Sequence, residues 1–372
     1  MGATKPISRR GVTREPRDRD TDPRASAAPS LDGHRTGRRH AAVMTDVARL
    51  AGVSYQTVSR VLHDSPHVRR GTRDRVLAAI RELDYRPNSV AQALVTGRSM
   101  TLGVVSFDTT LYGPASTLLG IEEAAHDSGY AISIASLKTL NRASVLSAVE
   151  RLRRQGVEGI VVIAPQKAAV DALLHLPGDV PVVAVEAGPD DSVPVVAVDQ
   201  FGGGASATRH LLDLGHRTVW HLAGPQDWLE AQQRVDGWRS VLEAARAEIP
   251  PLLRGDWSAR SGYELGQRLV ETHGVTAVFA ANDQMALGLL RRLHEAGRRT
   301  PGEISVVGFD DIPEAAYFTP PLTTVRQDFA EVGRRCLRVL LGQIEQGGRS
   351  WERVVVPTEL VVRASTASAA VR

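Results

Sequence analysis

Polar side chains with chemistry to offer gather at the ends of apolar runs in this chain. Glu186 closes "VPVVAVEA", Asn282 and Asp283 close "AVFAAND", and Asp310 and Asp311 close "ISVVGFDD". Trp257 stands in the connection "GDWSARSG". Carboxylates and an amide beside arginine and an indole suit a sugar: the polar groups bridge hydroxyls while the indole covers a ring face. A lone Asp in such a place is more often a turn or cap residue.

A second set lies near the start. "SYQTVSRVL", Ser54 to Leu62, has a capping hydroxyl followed by a narrow apolar seam of Val58, Val61 and Leu62. Its other face carries Tyr55, Gln56, Ser59 and Arg60, all hydrogen-bonding side chains. That division fits a helix laid in a DNA major groove. Tyr55 and Gln56 at its start are placed for base contacts, and Arg60 one turn later can pair with guanine through two hydrogen bonds. Ser54, Thr57, Ser59, His67 and Thr72 suit phosphate contacts, which fix register without reading sequence.

The elements that must hold these groups can be read from spacing. In "MTDVARLAGVSYQTVSRVLHDSPHVRRGTRDRVLAAIRELDYRPN", Thr45 is the expected cap of a first helix with Val47, Ala48 and Leu50 inward. Gly52 breaks the chain between that helix and the one opened by Ser54, which is a helix-turn-helix pattern. A third helix is expected from about Arg70 to Leu83, with Val76, Leu77 and Ile80 apolar, ending before Pro87. Pro87 and Asn88 then open a short helix with Val90, Ala91 and Leu94 on one face and Gly97 at its end. Roughly two turns are not stable alone, so it forms only when docked.

From Leu102 the pattern becomes α/β. Apolar strands are expected at "TLGVVSF", "AISIAS", "GIVVIAP", "VPVVAVEA", "VPVVAVD", "TVWHLAG", "AVFAAND" and "ISVVGFDD". Amphipathic helices such as Pro114–Ser128, Ser144–Gln155 and Gln232–Glu248 lie between them. Continuous apolar strands alternating with helices mean parallel sheets covered on both faces. So many strands fit two doubly wound subdomains, whose ligands bind at the carboxyl ends of the strands.

Composition bounds the rest. The 372 residues are 42% hydrophobic and 23% charged, with a net charge of +3, too small for a polycation. Residues 1–42 are rich in Arg, Pro, Ser, Gly and Asp and nearly lack large apolar side chains, so they are expected to be a disordered basic tail. Its Arg9, Arg10, Arg38 and Arg39 could add nonspecific attraction to phosphates. No apolar stretch of secretory type follows these basic residues, and no run approaches the length of a membrane helix, so a cytoplasmic protein is expected. The single Cys336, within "VGRRCLRVLL", fits a small core residue in a reducing compartment.

"SYQTVSRV", "PNSVAQAL", "GDWSA", "ANDQMALG", "ISVVGFDD" and "PPLTTVRQDF" together resemble the LacI family of transcriptional regulators, over nearly all of Met44 to about Arg363. The resemblance implies a headpiece at 43–86 and a hinge helix at 87–99 that folds on operator DNA. Asn88, Val90 and Ala91 would contact DNA, and Leu94 would wedge into the minor groove. It implies a periplasmic-binding-protein type core at 100–365, whose N-subdomain spans about 100–198 plus 328–356 and whose C-subdomain spans about 199–327 plus 357–365. Chain crossings near Val198-Asp199 and Gln327-Asp328 would form the hinge between them, and 366–372 would be a flexible end. By the same likeness an effector pocket maps onto Leu111, Gly113, Pro114, Thr117, Glu186, Val198, Arg234, Trp257, Asn282, Asp310, Gln327 and Phe329. Arg234, Asn282 and Asp310 would bond sugar hydroxyls; Trp257, Phe329, Leu111 and Pro114 would be apolar walls. Glu186, Gly113 and Val198 depart from the family's galactoside pattern of Asp, Ala and Phe, which changes the reach and volume of the pocket. The expected effector is a galactoside-like sugar or another mono- or disaccharide. The chain closes on "VVRASTASAAVR" without a heptad repeat, so a homodimer is expected.

Two other readings compete. Gly202-x-Gly204-x-x-Ala207, after a strand and before a helix, formally meets a dinucleotide fingerprint. The next strand, "TVWHLAG", lacks the terminal acidic residue that would take a ribose hydroxyl, which weakens a dehydrogenase. A secreted sugar binder would share the core and lack the headpiece. Phosphate-loop, zinc-protease and paired CxxC motifs are absent, as is a nucleophile elbow, and the eleven His show no metal-ligand spacing. No enzyme activity, cofactor or metal is expected.

Overall fold

Strands apolar on both faces need a cover on each side, and that requirement organises the core. The computed structural model describes residues 42–62, 65–86, 97–139, 141–176, 178–187, 193–348 and 351–369. Contacts divide the chain into two units, at Pro87 and Asn88.

The first unit holds α1 (Met44–Ala51), α2 (Tyr55–Leu62) and α3 (Arg70–Glu82). Val47, Ala48, Ala51, Val58, Val61, Val76, Ala79 and Tyr85 make its core. Leu50, expected inward, is exposed, and so is the apolar Leu77, because Ala51 and Ala79 take the inner positions at the helical spacing. The start of α1 is closed by Asp46, whose carboxylate accepts the Val43 N–H at 3.0 Å, and not by Thr45. Gly52, at φ 64°, ends α1 in the left-handed conformation that glycine adopts without strain. Ser54 caps α2 as expected, its Oγ accepting the Thr57 N–H at 3.2 Å. The expected hinge helix, with its Asn88, Val90, Ala91 and Leu94, and the basic tail lie outside the described residues.

In the second unit, β1 (Thr101–Phe107), β2 (Ala131–Leu137), β3 (Gly159–Ile163), β4 (Val182–Val185), β5 (Val195–Val198) and β11 (Arg353–Val356) form a six-stranded parallel sheet. Its order is β11-β5-β4-β3-β1-β2. Alternation along β3 shows how it is covered. Ile160 and Val162 join Val145, Val149 and Leu152 of α5 (Arg142–Arg154) and Ala169, Ala172 and Leu173 of α6 (Lys167–Leu173) on one face. Val161 and Ile163 join Ile121 of α4 (Tyr112–Asp127) and Val332, Cys336 and Leu340 of α11 (Phe329–Gln346) on the other. Cys336 is fully buried there as a core residue.

A four-stranded parallel sheet follows, ordered β7-β6-β8-β9, from β6 (Trp220–Ala223), β7 (Leu253–Arg254), β8 (Ala277–Ala280) and β9 (Ser305–Val307). Helices α7 (Gln200–Asp213) and α8 (Leu229–Ala244) cover one face; α9 (Ala259–Glu271) and α10 (Asp283–Glu295) cover the other. The glycine fingerprint at 202–207 is accounted for by this packing. A Cβ on Gly204 would meet the Arg234 backbone, and one on Gly237 the Phe201 backbone, so α7 and α8 touch main chain to main chain. The antiparallel pair β10 (Thr324–Gln327) and β12 (Thr358–Val361) completes this lobe. The chain therefore passes between the two sheets after β5, after β10 and after β11.

The end expected to be loose from 366 is tied down as far as it is described. His210 Nε2 bonds Thr366 Oγ1 at 3.0 Å, and the Ala369 N–H donates to Leu214 at 2.8 Å. Among the described residues no helix is long and apolar enough to cross a membrane.

Candidate functional site

The carboxyl ends of both sheets and the crossings between them enclose a cavity of about 250 Å³. Eleven of the twelve expected pocket residues line it. Leu111, Gly113, Pro114 and Thr117 come from the start of α4; Glu186 comes from the end of β4. Arg234, Trp257, Asn282 and Asp310 come from the second lobe, and Gln327 and Phe329 flank the second crossing. Val198 is the exception. Its side chain is packed in the core of the first sheet, because neighbouring residues of a strand point to opposite faces. What Val198 gives to the site is its N–H, donated to Glu186 Oε1 at 2.8 Å.

Arg234 is the centre of the polar wall and is 4% exposed. Its Nε donates to Gln200 Oε1 at 2.8 Å, a terminal nitrogen donates to the Ala281 carbonyl, and the other lies 3.7 Å from Asp310 Oδ1. The guanidinium sits 3.8 Å from the centroid of the Phe309 ring and 5.4 Å from that of Trp257. Gln327 Nε2 donates to Asp310 Oδ1 at 2.6 Å, and Gln200 Nε2 donates to Gln327 Oε1 at 2.9 Å. The network runs from Arg234 through Gln200, which opens α7 just after the first crossing, to Gln327, which closes β10 just before the second.

Burial moves the carboxyl groups upward. Asp310 is pushed up to about 6 by desolvation, against the pull of Arg234 and the hydrogen bond from Gln327. Glu186 is pushed up to about 7 by desolvation, against hydrogen bonds from Val198 and Gln200 and the charge of Arg234. Glu230 stands well above the ordinary range, because burial and then the Glu186 charge disfavour its ionised form. Three carboxyl groups thus share one guanidinium.

The strand-end pairs flagged in the sequence divide cleanly. Asn282 lines the cavity while capping α10, its Oδ1 taking the Met285 N–H at 2.9 Å and its Nδ2 donating to the Trp257 carbonyl at 3.0 Å. Asp283 turns away and accepts from Ile312 N–H at 2.9 Å and Thr324 Oγ1 at 2.6 Å. Asp310 faces the cavity; Asp311 binds Arg326 and Arg363, each at 2.7 Å. Pattern alone missed Gln200, Trp228, Glu230 and Gln284, all in the lining. Trp228 meets Trp257 edge to face, with centroids 5.7 Å apart at 75°. Each of these four sits in or next to the first turn of a helix, where sequence reads it as a cap or a solvated position.

On the first unit, Ser54, Tyr55, Gln56, Arg60 and His67 are exposed, and Thr57, Ser59 and Thr72 are half-buried. Ser54, Thr57, Arg60, His67 and Thr72 surround one shallow depression together with Arg69 and Arg75, two cations not singled out from sequence. The loop after α2 is fastened by Arg73, which donates to the Ser65 carbonyl at 2.8 Å. Hydroxyls, an imidazole and three guanidinium groups around a depression suit a phosphate backbone.

Comparison with known proteins fits both parts. Residues 43–88 match the family of bacterial regulatory proteins of lacI type, and residues 208–366 match a periplasmic binding protein-like domain. The lactose operon repressor of Escherichia coli strain K12 is 35% identical over 328 residues, which is 86% of this chain and 89% of that protein. The chain belongs to the LacI family.

Other LacI-family relatives include the transcriptional repressor PurR of Haemophilus influenzae, 32% identical over 88% of this chain and 99% of that protein. The crystal structure of the Lac repressor dimer bound to operator and an anti-inducer superposes with a TM-score of 0.78 at 34% identity, over 88% of this chain and 100% of that one. A complex of the regulator CelR with cellobiose gives a TM-score of 0.65 at 33% identity, over 87% and 99%. This LacI-family chain is a DNA-binding transcriptional repressor and not an enzyme.

Proposed function

We propose that this repressor works as a cytoplasmic homodimer on a pseudo-palindromic operator, released or retained according to a mono- or disaccharide held in the cavity. The observation that carries the reading is the Arg234–Asp310–Gln327–Gln200 network, which joins the cavity wall to two of the chain crossings. A ligand bound there differs in its contacts between an open and a closed core. Only that difference can shift the balance between states; tight binding alone would shift nothing. Relatives solved with operator and with cellobiose support both halves of the reading.

In this account the 43–86 headpiece of each protomer reads a half-site. Tyr55, Gln56 and Arg60 meet base edges, while Ser54, Thr57, Ser59, His67 and Thr72 meet phosphates. The 87–99 segments of the two protomers pair over the central minor groove through Asn88, Val90, Ala91 and Leu94. The core at 100–365 sets their spacing. Arg234 and Asp310 hold sugar hydroxyls, and Trp257 with Trp228 covers ring faces.

A gel shift on DNA upstream of the protein's own coding region, repeated with cellobiose, lactose, maltose and ribose, tests this. A sequence-specific shift reversed or strengthened by at least one sugar is expected. A shift indifferent to every sugar that occupies the cavity would sink the proposal.

A further inference from the structure

The cavity is rich in acceptors and short of free cations. Among its three carboxyl groups, Glu186 already receives Val198 and Gln200, and Asp310 receives Gln327 with Arg234 nearby. Arg234 has its donors turned to Gln200, Ala281 and Asp310. Glu230, at the second position of α8, differs: its Oε2 is sealed from solvent and has no hydrogen-bond partner. Gln284 Oε1, in the first turn of α10, is sealed and unpartnered in the same way. Trp257, only 8% exposed, leaves its indole N–H without an acceptor. All three side chains line the cavity.

A buried polar atom without a partner costs free energy, so three in one cavity define what a ligand must bring. Gln284 waits as an acceptor, the Trp257 N–H as a donor, and the protonated acid favoured at Glu230 can serve as either. Sugar hydroxyls each donate and accept, and so satisfy both kinds. An ionised phosphate or carboxylate offers no donor to Gln284 and brings a negative charge beside Glu186 and Asp310. An ammonium group would need a standing negative charge on Glu230, whereas burial and the Glu186 charge favour the protonated acid there.

We infer that Glu230 is a specificity-determining residue: with Gln284 and the Trp257 N–H it selects an uncharged sugar whose free hydroxyls meet that wall, against sugar phosphates, sugar acids and amino sugars. The inference rests on the effector cavity proposed above. It goes beyond that reading by fixing the charge class of the ligand and the residue that enforces it.

The test is calorimetric titration of the full chain with cellobiose, lactose, maltose, glucosamine and glucose 6-phosphate. At least one neutral disaccharide should bind at least about 100-fold more tightly than glucose 6-phosphate and glucosamine. Glu230→Ala should weaken that disaccharide by about 10- to 100-fold, with Glu230→Gln as a second variant that keeps the shape should the first fail to fold. Monodeoxy derivatives of the bound disaccharide then separate contact from mere support. Removing the hydroxyl that meets Glu230 should cost about tenfold in the wild type and little in Glu230→Ala. Additive losses at every hydroxyl, tighter binding of either charged sugar, or no binding of any neutral disaccharide would each overturn the inference. Operator release is measured separately. A neutral sugar that binds through Glu230 and leaves DNA affinity unchanged defeats the proposed function while this assignment stands.

Discussion

Arg234→Met removes the guanidinium and keeps most of the volume between Phe309 and Trp257. The cost follows from the partners it abandons. Gln200 Oε1 and the Ala281 carbonyl lose a donor, and Asp310 loses its neighbouring cation while keeping Gln327. Removing one partner of a buried charged pair typically costs about 3–5 kcal/mol. Here the cavity can admit water to the orphaned oxygens and Asp310 can take a proton, so about 3 kcal/mol is expected. For a unit of this size that lowers the melting temperature by roughly 6–12 °C. Sugar affinity should fall by more than about 100-fold, because a charge-assisted hydrogen bond and its supporting network go together. Operator binding should survive at 20 °C, since the headpiece has a hydrophobic core of its own. Thermal unfolding, sugar titration and gel shift on one preparation give all three readings. A variant that melts like the wild type and still releases DNA at ordinary sugar concentrations would refute the placement of Arg234 at the centre of the site.

Arg60→Ala should lose about 1–3 kcal/mol of discrimination between operator and altered sites with sugar binding unchanged; a competition gel shift showing undiminished specificity would remove Arg60 from base reading. Glu186 has a folded value of about 7 against an ordinary 4.5, so its contribution to stability is present below about 4.5 and lost as pH rises through 7. Thermal unfolding of the sugar-free protein should therefore show the wild type losing stability relative to Glu186→Gln between about pH 4.5 and 7 and levelling off above that, and parallel curves would contradict it. Gly204→Val should destabilise by roughly 1–3 kcal/mol or more, since the new side chain meets the Arg234 backbone; denaturant unfolding at an unchanged midpoint would show that α7 and α8 can part.

The parallel strands were legible because burial on both faces leaves a continuous apolar run, as in "GIVVI", that only a covered sheet accepts. Of the strands that were missed, β11 carries a short apolar run in "RVVV", while β7, β10 and β12 lack this mark. β7 is two residues long, and the four-residue strands β10 and β12 are broken by the polar Arg326, Gln327 and Glu359. Side-chain direction was the weaker part of the reading. Val198 was placed in the cavity although its own strand turns it into the core, and Leu50 was read inward on type alone. Glu230 gave no signal, because an acid in the first turn of a helix is ordinary. Its unpartnered oxygen exists only once the fold buries it.

Three passages of chain link the lobes, and two of them end in glutamines that hold each other at 2.9 Å. This bond is a clasp laid across the connectors themselves, so any turning of one lobe on the other would act on residues that also line the cavity. A molecule that draws on Asp310 tugs at Gln327, and through it at Gln200, without any relay through the sheets. Under the proposed function, occupancy of the cavity would therefore be felt directly by the connectors.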